Sequence, residues 1–274
     1  MQHFLTGLIG AGIAASRSPF IHEQEGRALG LHVFYQLLDL DRTPHNLPTL
    51  LNAAQGAGFA GVNITHPCKQ SVIPFLDELS PEAQAIGAVN TVVFKEGKRH
   101  GHNTDCYGFA QSFRRGLANA NLTRVLLLGA GGAGSAVAHA AVELGTLELA
   151  IFDEDQARAE ALAEKLRAQF GPTRAHLAIS LEQSAHTADG LIHATPTGMA
   201  AHPGIAIAPE HLRPEMWVAE IVYFPLETEL LKAARARHCR TLDGGAMAVL
   251  QAARAFELFT SIKPDEERML KSFQ

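Results

Sequence analysis

The chain has 274 residues, of which 47% are hydrophobic and 19% are charged, and its formal net charge is -5. This length favours two domains over one compact core, and the composition is that of an ordinary globular protein. The negative charge and the lack of a dense Lys/Arg run argue against nucleic acid and membrane surfaces as partners. No apolar stretch approaches the roughly 20 residues of a membrane span.

Cysteine and histidine usage indicates a reducing compartment and no metal centre. Cys68, Cys106 and Cys239 are odd in number and widely spaced, which indicates neither a disulfide framework nor a zinc site. The 14 histidines form no H-E-x-x-H or comparable ligand pattern. The first residues carry neither the basic region nor the cleavage site of a secretory signal. We therefore expect a cytoplasmic enzyme without a bound metal.

Strand and helix patterns alternate along nearly the whole chain, which predicts an α/β fold. In the N-terminal third, the predicted strands span residues 5–9, 32–40, 61–64, 91–94 and 99–102, and the predicted helices span 19–29 and 47–57. From residue 124 onward, the predicted strands span 125–128, 147–152, 176–179, 191–194, 217–223 and 241–243, and the predicted helices span 133–144, 156–169, 227–237 and 245–261. No internal repeat or low-complexity segment interrupts this alternation.

A glycine-rich turn follows the apolar run at residues 125–128. Gly129, Gly131 and Gly134 fit G-x-G-x-x-G between a predicted strand and a predicted helix. Glycines there allow a tight turn and let the backbone approach a pyrophosphate at the helix N-terminus. Asp153 ends the next apolar run, 19 positions after Gly134, where the ribose-binding acid of a dinucleotide site belongs. The pattern predicts a nicotinamide-dinucleotide site; the alternative is a turn that serves only helix–strand packing.

Two serines stand just before the helix predicted at residues 19–29. Ser18 followed by Pro19 makes a good helix start, so a structural role as the N-cap is the simple interpretation for Ser18. That interpretation leaves Ser16 without a role. Two hydroxyls beside a helix N-terminus also form a carboxylate site.

Two further polar segments close predicted strands. Asn63, Thr65 and Lys69 follow the strand at 61–64, at the carboxyl end where open α/β sheets bind ligands. The segment Gly101-His-Asn-Thr-Asp105 closes the strand at 99–102. The structural alternatives are a solvated surface lysine and an Asx-type turn.

Together these segments resemble the shikimate dehydrogenase family, and the resemblance covers almost the whole chain. The matching motifs are Ser16-Arg-Ser-Pro19, Asn63-Ile-Thr-His-Pro-Cys-Lys69, Gly87-Ala-Val-Asn-Thr91, His102-Asn-Thr-Asp105, His193-Ala-Thr-Pro-Thr-Gly198, and Asp243-Gly244 before a helix with Gln251. Cys68 stands where the family often has Phe or Tyr, and His193 where Asn is usual. We expect both departures to adjust pocket walls.

The resemblance implies an α/β architecture of two domains with a cleft between them. Residues 1–105 and 244–274 would form the α/β substrate domain, and residues 106–243 a Rossmann-type dinucleotide-binding domain. Lys69 would be the proton donor and acceptor, and Asp105 its partner carboxylate. The implied substrate-binding residues are Ser16, Ser18, Asn63, Thr65, Asn90, Tyr223 and Gln251. The implied cofactor-binding residues are Gly129, Ala130, Gly131, Gly132, Ala133, Asp153, Arg158, Thr195, Pro196, Ile221 and Gly244.

The segment Phe152-Asp-Glu-Asp155 predicts NAD as the cofactor. Members of the family that use NADP typically carry Asn-Arg-Thr here, with the arginine on the 2′-phosphate. Asp153 would accept hydrogen bonds from the ribose hydroxyls and repel a phosphate. Arg158 would either partly offset this repulsion or flank the adenine ribose. The segments His66-Pro-Cys-Lys-Gln70 and Glu227-Thr-Glu-Leu-Leu231 resemble the quinate/shikimate dehydrogenases that prefer NAD.

The function that the resemblance implies is reversible hydride transfer between shikimate and 3-dehydroshikimate, with weaker oxidation of quinate to 3-dehydroquinate. Two alternatives stay open. One is a dehydrogenase of a related cyclic hydroxy acid such as aminoshikimate, and the other is a non-catalytic NAD-binding regulator of the same fold. Small molecules are the expected partners of a monomer or homodimer.

Overall fold

The computed structural model describes residues 2–273 and shows twelve strands within that range, arranged in two six-stranded sheets. The strands of the first sheet are β1 (His3–Gly10), β2 (His32–Asp39), β3 (Gly61–Ile64), β4 (Glu78–Leu79), β5 (Thr91–Lys95) and β6 (Lys98–His102). Those of the second are β7 (Arg124–Leu128), β8 (Glu148–Phe152), β9 (Ala175–Leu177), β10 (Gly190–His193), β11 (Trp217–Glu220) and β12 (Arg240–Leu242). The helices are α1 (Ser18–Ala28), α2 (Leu47–Gly56), α3 (Pro81–Ile86), α4 (Asp105–Gly116), α5 (Gly132–Glu143), α6 (Gln156–Phe170), α7 (Leu181–Thr187), α8 (Glu229–Ala236), α9 (Gly245–Thr260) and α10 (Glu266–Phe273).

The chain divides into two compact units. The first runs through Gly108 and resumes at Val249, and the second is Phe109–Ala248. Both divisions fall inside helices, α4 and α9. The functional boundaries after residues 105 and 243 stay a proposal. None of the helices in residues 2–273 is long and apolar enough to cross a membrane.

In the sheet of the first unit, the ends of several strands lie at the same edge. Its strand order is β2-β1-β3-β5-β6-β4, with β1 parallel to β2 and β3, and with β5 antiparallel to β3 and β6. Asn63 is opposite Thr91, and Thr91 is opposite His102. The carboxyl ends of β1, β3 and β6 therefore meet the start of β5. The polar segments that follow these strands are brought to the same place.

The second unit is a doubly wound parallel sheet. Its strand order is β12-β11-β10-β7-β8-β9, and every neighbouring pair is parallel. The order reverses between β7 and β10, and ligands of such sheets bind outside the carboxyl ends at that switch point. Helix α5 begins at Gly132, directly after the turn that follows β7. The predicted Rossmann-type architecture is confirmed.

Local sequence explains how helix α2 covers the first sheet. Asn46 caps its N-terminus, because its Oδ1 accepts the N–H of Thr49 at 3.1 Å, and a proline lies in the first turn. Leu47, Leu50 and Leu51 recur at helical spacing and are buried in the core of this sheet. Burying each such side chain contributes roughly 1.5–3 kcal/mol.

Most predicted elements are confirmed with shifts of one or two residues at their ends, but some predictions were wrong. The strand predicted at 217–223 ends at Glu220, and helices α3, α4, α7 and α10 were not predicted. Ser18 is not the N-cap of α1. The helix begins at Ser18 with Arg17 in the cap position, and the hydroxyl of Ser16 accepts the N–H of Ser18 at 3.3 Å.

A buried histidine lies behind the polar edge of the first sheet. His22 of α1 packs against the ring of Tyr35 at 4.6 Å between centroids, and neither of its ring nitrogens has a hydrogen-bond partner among the described residues. The ring centroids of Phe256 and Phe259 lie 6.1 and 6.0 Å from that of His22. Burial lowers the pKa of His22 from 6.5 to about 3.

We expect this histidine to make folding sensitive to acid. The folded state keeps His22 neutral, whereas the unfolded chain protonates it below about pH 6.5. Its contribution to stability is therefore fully present above that pH and is lost as the pH falls towards 3. Between pH 7.5 and 5.0 the loss is about 2 kcal/mol. Urea unfolding of the wild type and of His22→Leu at both pH values measures this loss. Between the two pH values, the free energy of unfolding should fall by about 2 kcal/mol less in His22→Leu than in the wild type. An unchanged difference would contradict the assignment.

Candidate active site

Lys69 and Asp105 form an ion pair at the polar edge of the first sheet. The Nζ of Lys69 lies 2.6 Å from Oδ2 of Asp105, and the side chains are only 16% and 7% exposed. Lys69 lies in the turn after β3, and Asp105 is the first residue of α4. Asn103 caps this helix, because its Oδ1 accepts the N–H groups of Asp105 and Cys106. The Asx geometry weighed as an alternative therefore exists, and it orients Asp105.

Asn90 connects the ion pair to the rest of the site. Its Nδ2 donates to Oδ1 of Asp105 at 3.0 Å, to the hydroxyl of Thr104 at 2.8 Å and to Oε1 of Gln251 at 3.3 Å. Its Oδ1 accepts the N–H of Thr104 at 2.7 Å. Residues from the loop after β6, from α4 and from α9 thus meet at one carboxamide. Both oxygens of Asp105 are held, so its carboxylate is fixed in orientation toward Lys69.

Asn63 is tied into the same network. Its Oδ1 accepts the hydroxyl of Tyr35 at 2.7 Å, and its Nδ2 donates to the hydroxyl of Thr91 at 2.9 Å. The hydroxyl of Thr91 donates in turn to Asn90. Asn63 is buried, and both the oxygen and the nitrogen of its amide are hydrogen-bonded to other protein groups. Thr65 follows one residue after β3 and is half-buried.

The two serines lie in the turn that leads into α1. The hydroxyl of Ser16 donates to the hydroxyl of Ser18 at 3.1 Å, and both side chains are half-buried. The preceding loop is bonded to the segment that contains Lys69, because the N–H of Ala11 donates to the carbonyl of His66 at 2.9 Å. Both segments therefore lie at the same edge of the first sheet.

The glycine-rich turn of the second unit has the geometry that its pattern predicts. Gly129 has a φ of +99°, and a Cβ at Gly134 would lie 2.0 Å from the carbonyl oxygen of Gly129. Neither position accepts a side chain. A Cβ at Gly131, in contrast, would have no described atom within 4 Å. That open space lies at the N-terminus of α5, where backbone N–H groups bind phosphate, so the residues present fit a dinucleotide.

Asp153 stands directly after β8 and faces this turn. Its Oδ2 accepts the N–H of Ala130 at 2.7 Å, and its Oδ1 accepts the N–H of Asp155 at 2.9 Å. The guanidinium of Arg158 lies 3.7 Å from Oδ1 and is half exposed. A negative charge is thus fixed beside the glycine-rich turn, with the guanidinium of Arg158 near it.

The other predicted cofactor residues follow the carboxyl ends of neighbouring parallel strands. Thr195 and Pro196 follow β10, Ile221 follows β11, and Gly244 follows β12. A Cβ at Gly244 would lie 2.5 Å from the carbonyl oxygen of Ile221, so these two loops pack in direct contact. Tyr223 is in the loop after β11 and is exposed.

A buried network fixes two of these loops. Oε1 of Glu220 lies 2.9 Å from Nδ1 of His193 and accepts the N–H of Val222, and Oε2 accepts the hydroxyl of Thr228. Nε2 of His193 lies 2.5 Å from the hydroxyl of Thr195. A carboxylate has no proton to donate, so Nδ1 carries the proton, and in the neutral ring Nε2 accepts from Thr195.

The two departures from the family pattern are not pocket walls, and that expectation was wrong. His193 is completely buried inside the network with Glu220. Cys68 is buried in the core of the first unit, where burial raises the pKa of its thiol. The ring of His193 contacts Glu220 and Thr195, and Cys68 packs in the core.

Several residues of the site had no signal in the sequence. Tyr35 reaches Asn63 from 28 positions away, and Glu220 reaches Thr228 through a loop. Thr104 belongs to a motif that the sequence singled out, but its bond to Asn90 was not predicted. Among the described residues, no group of three or more His, Cys, Asp or Glu side chains is placed to hold a metal ion.

The chain is similar to known dehydrogenases over its whole length. Residues 8–92 match the family model of the shikimate dehydrogenase substrate binding domain. A shikimate dehydrogenase (NADP(+)) of Streptomyces avermitilis is 56% identical over 97% of this chain and 94% of its own. A quinate/shikimate dehydrogenase (NAD(+)) of Corynebacterium efficiens is 49% identical over 100% and 99%. The structure of quinate dehydrogenase from Corynebacterium glutamicum in complex with NAD superposes with a TM-score of 0.92, at 46% identity, covering 100% of this chain and 99% of that one.

Proposed function

Because the chain belongs to the shikimate dehydrogenase family, we propose that it is an NAD-linked dehydrogenase of shikimate that also oxidises quinate, more weakly. It is an oxidoreductase acting on a secondary alcohol. The observation that supports the proposal best is the shielded pair of Lys69 and Asp105, held by Asn90. A non-catalytic regulator would have no use for a lysine fixed in this way.

The proton at the reacting oxygen is assigned to Lys69. In the reductive direction its ammonium donates to the carbonyl oxygen of 3-dehydroshikimate, and in the oxidative direction its amine accepts the proton of the shikimate hydroxyl. Asp105 holds Nζ at 2.6 Å and leaves the remaining N–H groups for the substrate. A bound NAD would accept the hydride that leaves the carbinol carbon.

The substrate carboxylate is assigned to Ser16 and Ser18, and the ring hydroxyls to the amide-rich network. The serine hydroxyls stand at the N-terminus of α1, whose N–H groups favour an anion. Thr65, Asn90 and Gln251 supply hydrogen-bond partners for hydroxyl groups. Each buried hydroxyl left without a partner would cost about 1–3 kcal/mol, so a polyhydroxylated ring needs such a set.

Cofactor choice rests on Asp153, since relatives of similar identity are named for different cofactors. The NADP(+) enzyme of Streptomyces avermitilis and the NAD(+) enzyme of Corynebacterium efficiens are 56% and 49% identical to this chain. A carboxylate fixed beside the glycine-rich turn binds ribose hydroxyls and repels a 2′-phosphate. This favours NAD.

A kinetic screen of shikimate and quinate with NAD and NADP tests the proposal. We expect the highest kcat/KM for shikimate with NAD, and measurable but lower values for quinate with NAD. Quinate carries one more hydroxyl beside its carboxylate, and a pocket difference of this size is worth only about 1–3 kcal/mol. A kcat/KM for quinate more than tenfold above that for shikimate would overturn the substrate assignment.

The second serine is the residue that we expect to set this preference. In the quinate-tolerant relatives that the sequence resembles, the position of Ser18 often carries Thr. Ser18→Thr should therefore narrow the gap between the two substrates in the same screen. Ser80→Thr is a matched control, since Ser80 caps α3 and accepts the N–H of Ala83 without a role in substrate binding.

A further inference from the structure

Arg17 lies between the two serines of the carboxylate site, but its side chain is bound elsewhere. Its Nη1 donates to the carbonyl of Phe273 at 2.9 Å. Its guanidinium carbon lies 4.1 Å from the centre of the Phe273 ring and 5.7 Å from that of Phe20. A cation over an aromatic face is attracted by the ring quadrupole. The positive charge nearest to the serines in the sequence is therefore bound by the last turn of α10.

Helix α10 has a second attachment at the other end of α1. The buried carboxylate of Glu25 accepts Nε and Nη2 of Arg268 at 2.9 and 2.6 Å, and also the N–H of Asp265 at 2.8 Å. A bidentate pair of this kind fixes orientation as well as distance. Between the two attachments, Ile21 packs with Met269 and Phe273 in one buried cluster. Helix α10 is therefore held against α1 along the length of both helices.

We propose that α10 is a positioning element for the substrate carboxylate. The ring and the backbone carbonyl of Phe273 both contact the side chain of Arg17. Arg17 is in turn linked by peptide bonds to Ser16 and Ser18. Fixing Arg17 restricts the backbone of the turn and keeps the hydroxyls in the arrangement seen here, 3.1 Å apart. This inference rests on the proposed function of the serines.

The test is a chain that ends at Ser272, which lacks both contacts to Arg17. We expect its KM for shikimate to rise about fivefold to tenfold, with kcat and the KM for NAD within twofold of the wild type. The methyl ester of shikimate has no carboxylate charge, so its inhibition constant as a competitive inhibitor should change less than twofold. Arg17→Ala should reproduce the effect, and combining it with the truncation should add little, because both remove the same contact.

Met269→Ala is the control for a merely structural role. It removes packing between α10 and α1 but leaves both contacts of Phe273 to Arg17. It should lower the melting temperature and leave the KM for shikimate within twofold. An unchanged or lower KM in the truncated chain, or equal losses for shikimate and its ester, would overturn the inference. If the wild type itself did not oxidise shikimate, the proposed function would fall instead.

Discussion

Replacing Lys69 with alanine is expected to lower kcat by about three orders of magnitude, which is the middle of the range for a single general acid or base. The KM for shikimate should change only a few-fold, because the lost interaction acts mainly on the transition state. Steady-state kinetics with shikimate and NAD measure both quantities. Asp105→Asn should be nearly as damaging, since the lysine would lose the carboxylate that fixes Nζ at 2.6 Å.

A second substitution separates proton transfer from charge. Lys69→Arg keeps a positive charge beside Asp105, but a guanidinium does not release its proton in proteins. If Lys69 moves a proton, the arginine variant should be almost as slow as the alanine variant. If it acts by charge alone, arginine should restore most of the turnover.

The matched control is another lysine at the same distance from a carboxylate. Lys98 lies 2.6 Å from Glu78, but these side chains are 57% and 50% exposed. Such surface pairs contribute little, so Lys98→Ala should leave kcat unchanged. Near-normal turnover of Lys69→Ala would show that Lys69 contributes as little to catalysis as Lys98. It would also remove the main support for the proposed function.

The part of the site that could be predicted is the part whose residues lie close together in the sequence. The turn from Gly129 to Gly134 and the acid at 153 are linked by one strand–helix–strand unit, whose periodicity is visible in about 30 residues. The edge of the first sheet could be predicted only as separate segments. Asn90 joins Asp105 and Gln251 because β5 runs antiparallel to β6, and strand order across a sheet has no local signal.

Helix α10 was missed although its sequence contained a signal. Asp265 follows a proline and caps the helix by accepting the N–H of Arg268 at 3.0 Å. Met269, Leu270 and Phe273 then recur at helical spacing. The segment is short and strongly charged, which hid this pattern. The contact of Phe273 with Arg17 joins residues 256 positions apart, and no sequence pattern predicts it.

The second large effect is expected at Asp153. Asp153→Asn keeps the size of the side chain and an oxygen that can accept the N–H of Ala130, but removes the negative charge. At about 4 Å and an effective dielectric constant near 20, repulsion between this charge and a unit charge on a 2′-phosphate is roughly 4 kcal/mol. Solvent and Arg158 screen part of it. We therefore expect the ratio of kcat/KM for NAD over NADP to fall by about 100-fold.

Two neighbouring substitutions make this result specific. Asp155→Asn also removes one charge, two residues further on, at the half-exposed cap of α6, where asparagine caps equally well. It should change the cofactor ratio less than threefold. Arg158→Ala should lower kcat/KM for NADP more than for NAD, because the guanidinium of Arg158 is a positive charge 3.7 Å from Asp153 and would attract a 2′-phosphate. Two results together would contradict this assignment: a wild type that uses NADP as well as NAD, and an unchanged ratio of kcat/KM in Asp153→Asn. They would show that the carboxylate of Asp153 serves only to accept the N–H groups of Ala130 and Asp155.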